Sequence, residues 1–206
     1  MSTKFSELGV PEWVTSALSR KGITEPFEIQ KRTIREGLEG KDICGRAPTG
    51  SGKTLAFGIP LVVKTKASKP REPQSLILAP TRELAEQICK ELRSFSGKRK
   101  VFVVYGGVGY GPQRKALANG VDILVACPGR LEDLIEQKEL KLAAVEQVVI
   151  DEADRMADMG FMPAVKRILD QTSDDRQTIL FSATLDRDVE QLKKRYQRDP
   201  VLREVG

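Results

Sequence analysis

The sequence has no histidine and only three cysteines, Cys44, Cys89 and Cys127. Without histidine, imidazole is excluded both as a general base and as a metal ligand. The cysteines are too widely scattered to give a zinc-binding spacing or a disulfide framework. Each lies inside an apolar run, as expected of free thiols in a reducing, intracellular compartment. No stretch approaches the ~20 apolar residues of a membrane span. The opening Met-Ser-Thr-Lys-Phe-Ser-Glu has no apolar secretory core. The expected location is therefore cytoplasmic, with no membrane partner.

What remains is a chain of 206 residues, 40% hydrophobic and 31% charged. That composition belongs to globular proteins, and the length suits one sizeable layered domain. A net charge of +5 and a pI near 9.1 admit a polyanionic partner without requiring one.

The most informative stretch is 42–54, Asp-Ile-Cys-Gly-Arg-Ala-Pro-Thr-Gly-Ser-Gly-Lys-Thr. Ile43 and Cys44 read as a buried strand that breaks at Pro48. Gly50-Ser51-Gly52-Lys53-Thr54 then leads into a helical pattern at Leu55, Ala56 and Ile59. Strand, glycine-rich turn and helix start form the context of a phosphate loop. Glycines let backbone N–H groups turn around a phosphate, and a helix N-terminus adds free donors and its positive dipole end. Thr49, Gly50, Ser51 and Gly52 would supply the cradle. Lys53 would reach the β- and γ-phosphates, and the Thr54 hydroxyl would ligate Mg²⁺. Ala47 stands where the first glycine of the usual pattern would be.

Around this stretch the pattern alternates. Two N-terminal helices carry Val14, Ala17 and Leu18, then Ile29, Ile34 and Leu38, with Pro11 and Pro26 at their starts and Gly22 and Gly40 as stops. Residues 64–74, basic and proline-bearing, read as an exposed loop. Strands are expected at 75–79, 101–105, 123–127, 148–150 and 178–181. Helices between them carry Leu84, Ile88, Leu92 and Phe95, then Leu131, Leu134 and Ile135, then Val165, Ile168 and Leu169, and finally Val189, Leu192 and Tyr196. Pro128-Gly129 reads as a turn, and the tail from Asp199 to Leu202 as a short extended stretch. Continuous apolar strands alternating with helices indicate an α/β fold, a parallel sheet covered by helices on both faces. Ligands in such sheets sit beyond the carboxyl ends of the strands. Residues 1–40 form an N-terminal helical region and 41–206 the nucleotide-binding body, together one structural domain.

Asp151-Glu152-Ala153-Asp154 follows the apolar Val-Val-Ile, where a Walker-B acid belongs. Asp151 would hold Mg²⁺, directly or through water, and Glu152 would polarise the attacking water, so Lys53, Asp151 and Glu152 form the expected catalytic set.

The tetrapeptide Asp-Glu-Ala-Asp resembles the signature of the DEAD-box ATP-dependent RNA helicases, and nearly the whole chain is similar to their first, RecA-like P-loop NTPase domain, of bacterial type. Residues 22–30, Gly-Ile-Thr-Glu-Pro-Phe-Glu-Ile-Gln, resemble the Q motif, with Phe5 at its upstream aromatic. Residues 47–54 resemble motif I, and Pro80-Thr81-Arg82-Glu83-Leu84 motif Ia. Gly106-Gly107 and Cys127-Pro128-Gly129-Arg130 resemble the next two nucleic-acid motifs, and Ser182-Ala183-Thr184 motif III. The resemblance implies ATP and Mg²⁺ as cofactors and RNA, single-stranded or short duplex, as a sequence-independent partner. It implies that Gln30 contacts the adenine edge and Phe5 supports the adenine pocket. Pro80, Thr81, Arg82, Gly107, Gly129 and Arg130 would line the RNA path. Ser182 and Thr184 would hydrogen-bond toward Asp154 and couple nucleotide state to closure against a second RecA-like domain.

Three positions depart from the family pattern. Ile23 stands at a frequent aromatic, Phe27 at a usual hydroxyl residue, and Cys127 at the threonine of Thr-Pro-Gly-Arg. Either Cys127 leaves an RNA phosphate contact unmade, so that threonine there would tighten binding, or it points into the sheet; the former is the expectation. Nothing after Thr184 resembles the arginine-rich motifs of the second domain, so the resemblance implies the ATP-binding half of an enzyme, nearly inactive by itself. Two other readings compete: a P-loop kinase or transporter ATPase, and a module that binds nucleotide, RNA or protein without turnover.

Overall fold

The computed structural model describes residues 3–206. Seven strands form one sheet: β1 (Ile43–Arg46), β2 (Ser75–Leu78), β3 (Val101–Val104), β4 (Ile123–Ala126), β5 (Gln147–Ile150), β6 (Gln177–Ser182) and β7 (Val201–Glu204). Their order is β3-β4-β2-β5-β6-β1-β7, and every pairing is parallel. From β1 the chain crosses to β2 and on to the edge strand β3, where its direction across the sheet reverses. Because the strands are parallel, their carboxyl ends all meet at one edge of the sheet.

The central strands are short apolar runs buried on both faces, so they can survive only between two helical layers. Along β2 the side chains alternate, with Ile77 in one core and Leu76 and Leu78 in the other. The first core gathers Phe5, Ile34, Leu61, Ile88 and Phe181. It is roofed by α1 (Glu12–Arg20), α2 (Glu28–Leu38), α3 (Lys53–Lys64) and α4 (Arg82–Arg93). The second gathers Leu117, Leu131, Met156, Val165 and Leu192. These come from α5 (Gly111–Asn119), α6 (Pro128–Glu136), α7 (Ala153–Asp158), α8 (Met162–Leu169) and α9 (Arg187–Tyr196). Gly45 in β1 allows the sheet to close on the first core, because a Cβ there would lie 2.4 Å from the Phe181 ring.

The structure departs from the sequence reading in four places. The extended tail is a seventh strand, pairing with β1 from Val201 opposite Ile43 to Glu204 opposite Arg46. Pro128 and Gly129 make the first turn of α6 rather than a loop; proline suits that position because its missing N–H would be unpaired there anyway. Helix α7, six residues long, is too short to show a period. The basic loop after α3 is tied down as well as exposed. Its Ser68 hydroxyl donates to Asp122 Oδ1 at 2.8 Å, and Arg71 N–H to the Leu117 carbonyl at 3.0 Å.

Candidate functional site

Strand β1 runs into the glycine-rich loop. Gly50 and Gly52 both hold φ near +84°, where a side chain would be strained, while Ala47 has no such φ and is buried in the core. Position 47 therefore needs no glycine. The Ser51 hydroxyl oxygen is buried without a hydrogen-bond partner, a polar atom left free inside the loop.

Lys53 opens α3 and is itself buried. Its ammonium donates to Asp151 Oδ1 at 2.9 Å and to Glu152 Oε2 at 3.3 Å. Asp151 leaves β5 with no solvent exposure, and its Oδ1 also accepts the Glu152 N–H at 2.9 Å. Its Oδ2 has no partner. Burial pushes the Asp151 carboxyl above the ordinary range, opposed first by the charge of Lys53. Glu152 adopts φ +51°, ψ +52°, a left-handed conformation that costs a non-glycine residue roughly 1–3 kcal/mol. Its carboxylate is thereby held between Lys53 and Arg155, the latter at 3.5 Å.

Beside the loop lies a cavity of about 590 Å³, lined by Gly50, Gly52, Lys53, Thr54, Glu152 and Gln30 together with the apolar Leu18, Ile23 and Phe27. Gln30 is buried. Its Oε1 accepts the Phe27 N–H at 2.8 Å and its Nε2 donates to the Gly52 carbonyl at 2.9 Å, which ties the start of α2 to the phosphate loop. The Thr54 hydroxyl faces Glu91 of α4, a carboxyl whose pKa is raised by burial and drawn back by Lys21 and then by Thr54. Neither Glu91 nor Gln87, which also lines the cavity, carried a sequence signal. Phe5 is placed differently from the expectation. It is 3% exposed within the first core and borders a neighbouring groove with Ile23 rather than this cavity.

The expected nucleic-acid residues divide. Thr81 caps α4, its hydroxyl accepting the Leu84 N–H at 3.2 Å, and so keeps its own proton free to donate. Arg82 is exposed and stacks over the Tyr105 ring at 4.6 Å. Gly107 (φ +85°) and Gly129 are exposed, and no atom lies within 4 Å of where their Cβ would be. Pro80 is buried and presents no side chain to this face.

Arg130 is turned inward. It is 9% exposed, donates to Gln113 Oε1 at 3.0 Å and to the Val108 carbonyl at 2.8 Å, and lies 3.9 Å over the Tyr110 ring. Gln113 in turn donates to the Tyr105 carbonyl at 3.1 Å. The guanidinium is spent on holding the glycine-rich loop 105–110 rather than pointed outward. Cys127 likewise packs against the first core, and burial pushes its thiol up to about 11.

Asp154, Ser182 and Thr184 are brought together. Asp154 N–H donates to Ser182 Oγ at 3.2 Å, and the Thr184 hydroxyl donates to Asp154 Oδ2 at 3.3 Å. Among the described residues, no cluster of three or more histidine, cysteine or acidic side chains could hold a metal ion, and no helix is long and apolar enough to cross a membrane. All three cysteines are free.

Residues 27–192 match the family model described as DEAD/DEAH box helicase. The chain is 45% identical over 203 residues to DEAD-box ATP-dependent RNA helicase 20 of Oryza sativa, covering 96% of this chain and 41% of that protein. It is 44% identical over 202 residues to ATP-dependent RNA helicase CshA of Listeria monocytogenes, covering 97% of this chain and 39% of the relative. A crystal structure of a DEAD box protein from Methanococcus jannaschii superposes on the whole chain with a TM-score of 0.93 and 36% identity, over 57% of that protein. The chain thus spans about two-fifths of the length of these curated relatives.

Proposed function

The chain belongs to the DEAD/DEAH box helicase family, and on that premise we propose that it is the ATP-binding half of an ATP-dependent RNA helicase, working with a second RecA-like domain to couple hydrolysis to local opening of RNA duplexes. The observation that carries this reading is the convergence of Lys53, Asp151 and Glu152 at the mouth of the glycine-rich loop. One cation and two carboxylates of different burial meet where the β- and γ-phosphates of a nucleotide would lie.

Within this reading, each residue has a task set by its surroundings. The free Ser51 hydroxyl and the N–H groups of 49–54 take phosphate oxygens, and Lys53 transfers its ammonium from the carboxylates to the phosphates. Gln30 keeps one hydrogen on Nε2 and one lone pair on Oε1 beyond its two internal bonds. Those bonds fix the amide's orientation, so the remaining donor and acceptor face adenine N7 and N6 and mismatch the guanine O6.

The donors suit Mg²⁺, which takes few protein ligands besides water and phosphate. Asp151, with its unpartnered Oδ2, and Thr54 would hold it, the former directly or through water. Bound there, the ion supplies positive charge to the phosphates. Glu152, more accessible than Asp151 and fixed by its backbone, accepts the proton of the attacking water.

Thr81, Arg82, Gly107 and Gly129 contact the RNA backbone without reading sequence, while Arg130 shapes the loop that carries Gly107. Asp154, Ser182 and Thr184 relay nucleotide state toward the second domain. Three free thiols fit a reducing compartment such as the cytoplasm. The test is ATP turnover by the whole protein with and without RNA. RNA should stimulate it, and Glu152→Gln should abolish turnover while retaining ATP. RNA-independent turnover, or a Glu152→Gln enzyme as fast as wild type, would overturn the reading.

A further inference from the structure

Phe27 is 57% exposed, more than any other large apolar side chain among the described residues. It occupies the N-cap of α2, where a hydroxyl or short polar side chain would be favoured. No side chain at the N-cap accepts a first-turn N–H; Gln30 Oε1 reaches back and accepts the Phe27 N–H instead. Helix chemistry thus gives no reason for a phenyl ring here, and hydration opposes leaving one in water.

The ring's position supplies the reason. A Cβ placed on Gly52 would fall 2.5 Å from Phe27 Cδ2 and 2.6 Å from Gln30 Nε2, so the ring lies directly on the last residue of the phosphate loop, beside the amide of Gln30. Phe27 also lines the cavity of about 590 Å³ shared with Lys53 and Thr54, opposite no other aromatic, since Ile23 is aliphatic. An exposed ring at the mouth of a phosphate-binding cavity, next to a group with a free donor and acceptor, matches the flat apolar part of a nucleotide.

We propose that Phe27 is an affinity-determining wall of the nucleotide site, its ring packing against the base and sugar of the bound nucleotide and supplying the aromatic contact that Ile23 cannot. This rests on the ATP-binding reading above. Contact with a π-face is blind to the base's edge, so Phe27 contributes equally to adenine and guanine nucleotides, and the choice between them is left to Gln30.

The experiment titrates ATP, GTP and inorganic tripolyphosphate, each with Mg²⁺, into the 206-residue chain and into Phe27→Thr, Phe27→Leu and Gln30→Ala. The exposed ring contributes little to folding, and thermal unfolding of each variant checks this. Phe27→Thr should weaken ATP and GTP alike, about five-fold or more, and leave tripolyphosphate unchanged. Phe27→Leu should fall between, and Gln30→Ala should narrow the gap between ATP and GTP. In Phe27→Trp, emission above that of Trp13 should be quenched by ATP and not by tripolyphosphate. Equal or tighter ATP binding by Phe27→Thr overturns the inference and leaves the ATP site standing. Equal loss of ATP and tripolyphosphate also overturns it, because the ring would then only support the loop. Failure of the wild type to bind ATP overturns the ATP reading itself, and the inference with it.

Discussion

The Lys53 ammonium lies 2.9 Å from Oδ1 of Asp151, a carboxylate without solvent exposure, so the cation of the phosphate loop is also the counter-ion of a buried acid two strands away in the sheet. Removing one member of such a pair leaves an uncompensated charge. The pair therefore links the stability of the sheet to the residues expected to handle phosphate.

Lys53→Ala should destabilise the fold by about 3–5 kcal/mol, or roughly 6–20 °C in melting temperature for a domain of this size. The deficit should depend on pH. The folded pKa of Asp151 is raised, chiefly by burial and against the pull of Lys53. Its protonated form therefore favours folding below the unfolded value, and that benefit is lost as pH rises through the folded value. Without Lys53 the rise is larger, so the gap between variant and wild type should shrink on moving from neutral to acid. Melting curves across that range check it; a gap that stays constant would mean that Asp151 is not left charged.

Arg82 and Arg130 should behave differently toward RNA although both stand in motifs expected to bind it. Arg82→Ala removes an exposed cation and should lower the slope of log affinity against log salt by about 0.7. Arg130→Ala frees loop 105–110 from its bonds to Gln113 and Val108, and should weaken binding with the slope unchanged. Equal slope changes in the two variants would show that Arg130 contacts phosphate after all.

For Cys127 the packing favours the account in which its side chain points inward, and the expected effect of threonine on RNA binding changes accordingly. The thiol packs against the core and titrates near 11, above its ordinary 9.0, mainly through burial. Its protonated form stabilises the fold below pH 9, and that contribution should be lost as pH rises to about 11. Cys127→Thr should lack this alkaline loss. It should gain up to about 1 kcal/mol by capping α6 and leave RNA affinity unchanged. A several-fold gain in RNA affinity would restore the missing-contact account.

What could be read from the sequence depended on how local its cause was. The phosphate loop was legible because strand, Gly50, Gly52 and Lys53 adjoin one another, and the parallel sheet because its inner strands are continuous apolar runs. Strand β7 lies at the edge, and its alternating exposure from Val201 to Glu204 resembles an irregular tail as much as a strand. The second role of Arg130 was hidden because its partners, Gln113 and Val108, come from another segment. The burial of Phe5 under α2, one layer behind the cavity's Ile23, is equally invisible locally, because nothing in its neighbourhood in sequence announces that packing. At Phe27 the sequence shows only a missing hydroxyl, and the fold alone brings its ring to rest on Gly52.

The most direct test of the central claim is a calorimetric titration of ATP with Mg²⁺ into the 206-residue chain and into Lys53→Gln, which keeps a donor for Asp151 but carries no charge. The wild-type chain should bind one ATP saturably, and Lys53→Gln should bind it about ten-fold more weakly or worse, the effect of losing a charged hydrogen bond. No saturable binding by the wild type, or equal affinity in the two proteins, would contradict the assignment of this cavity to ATP.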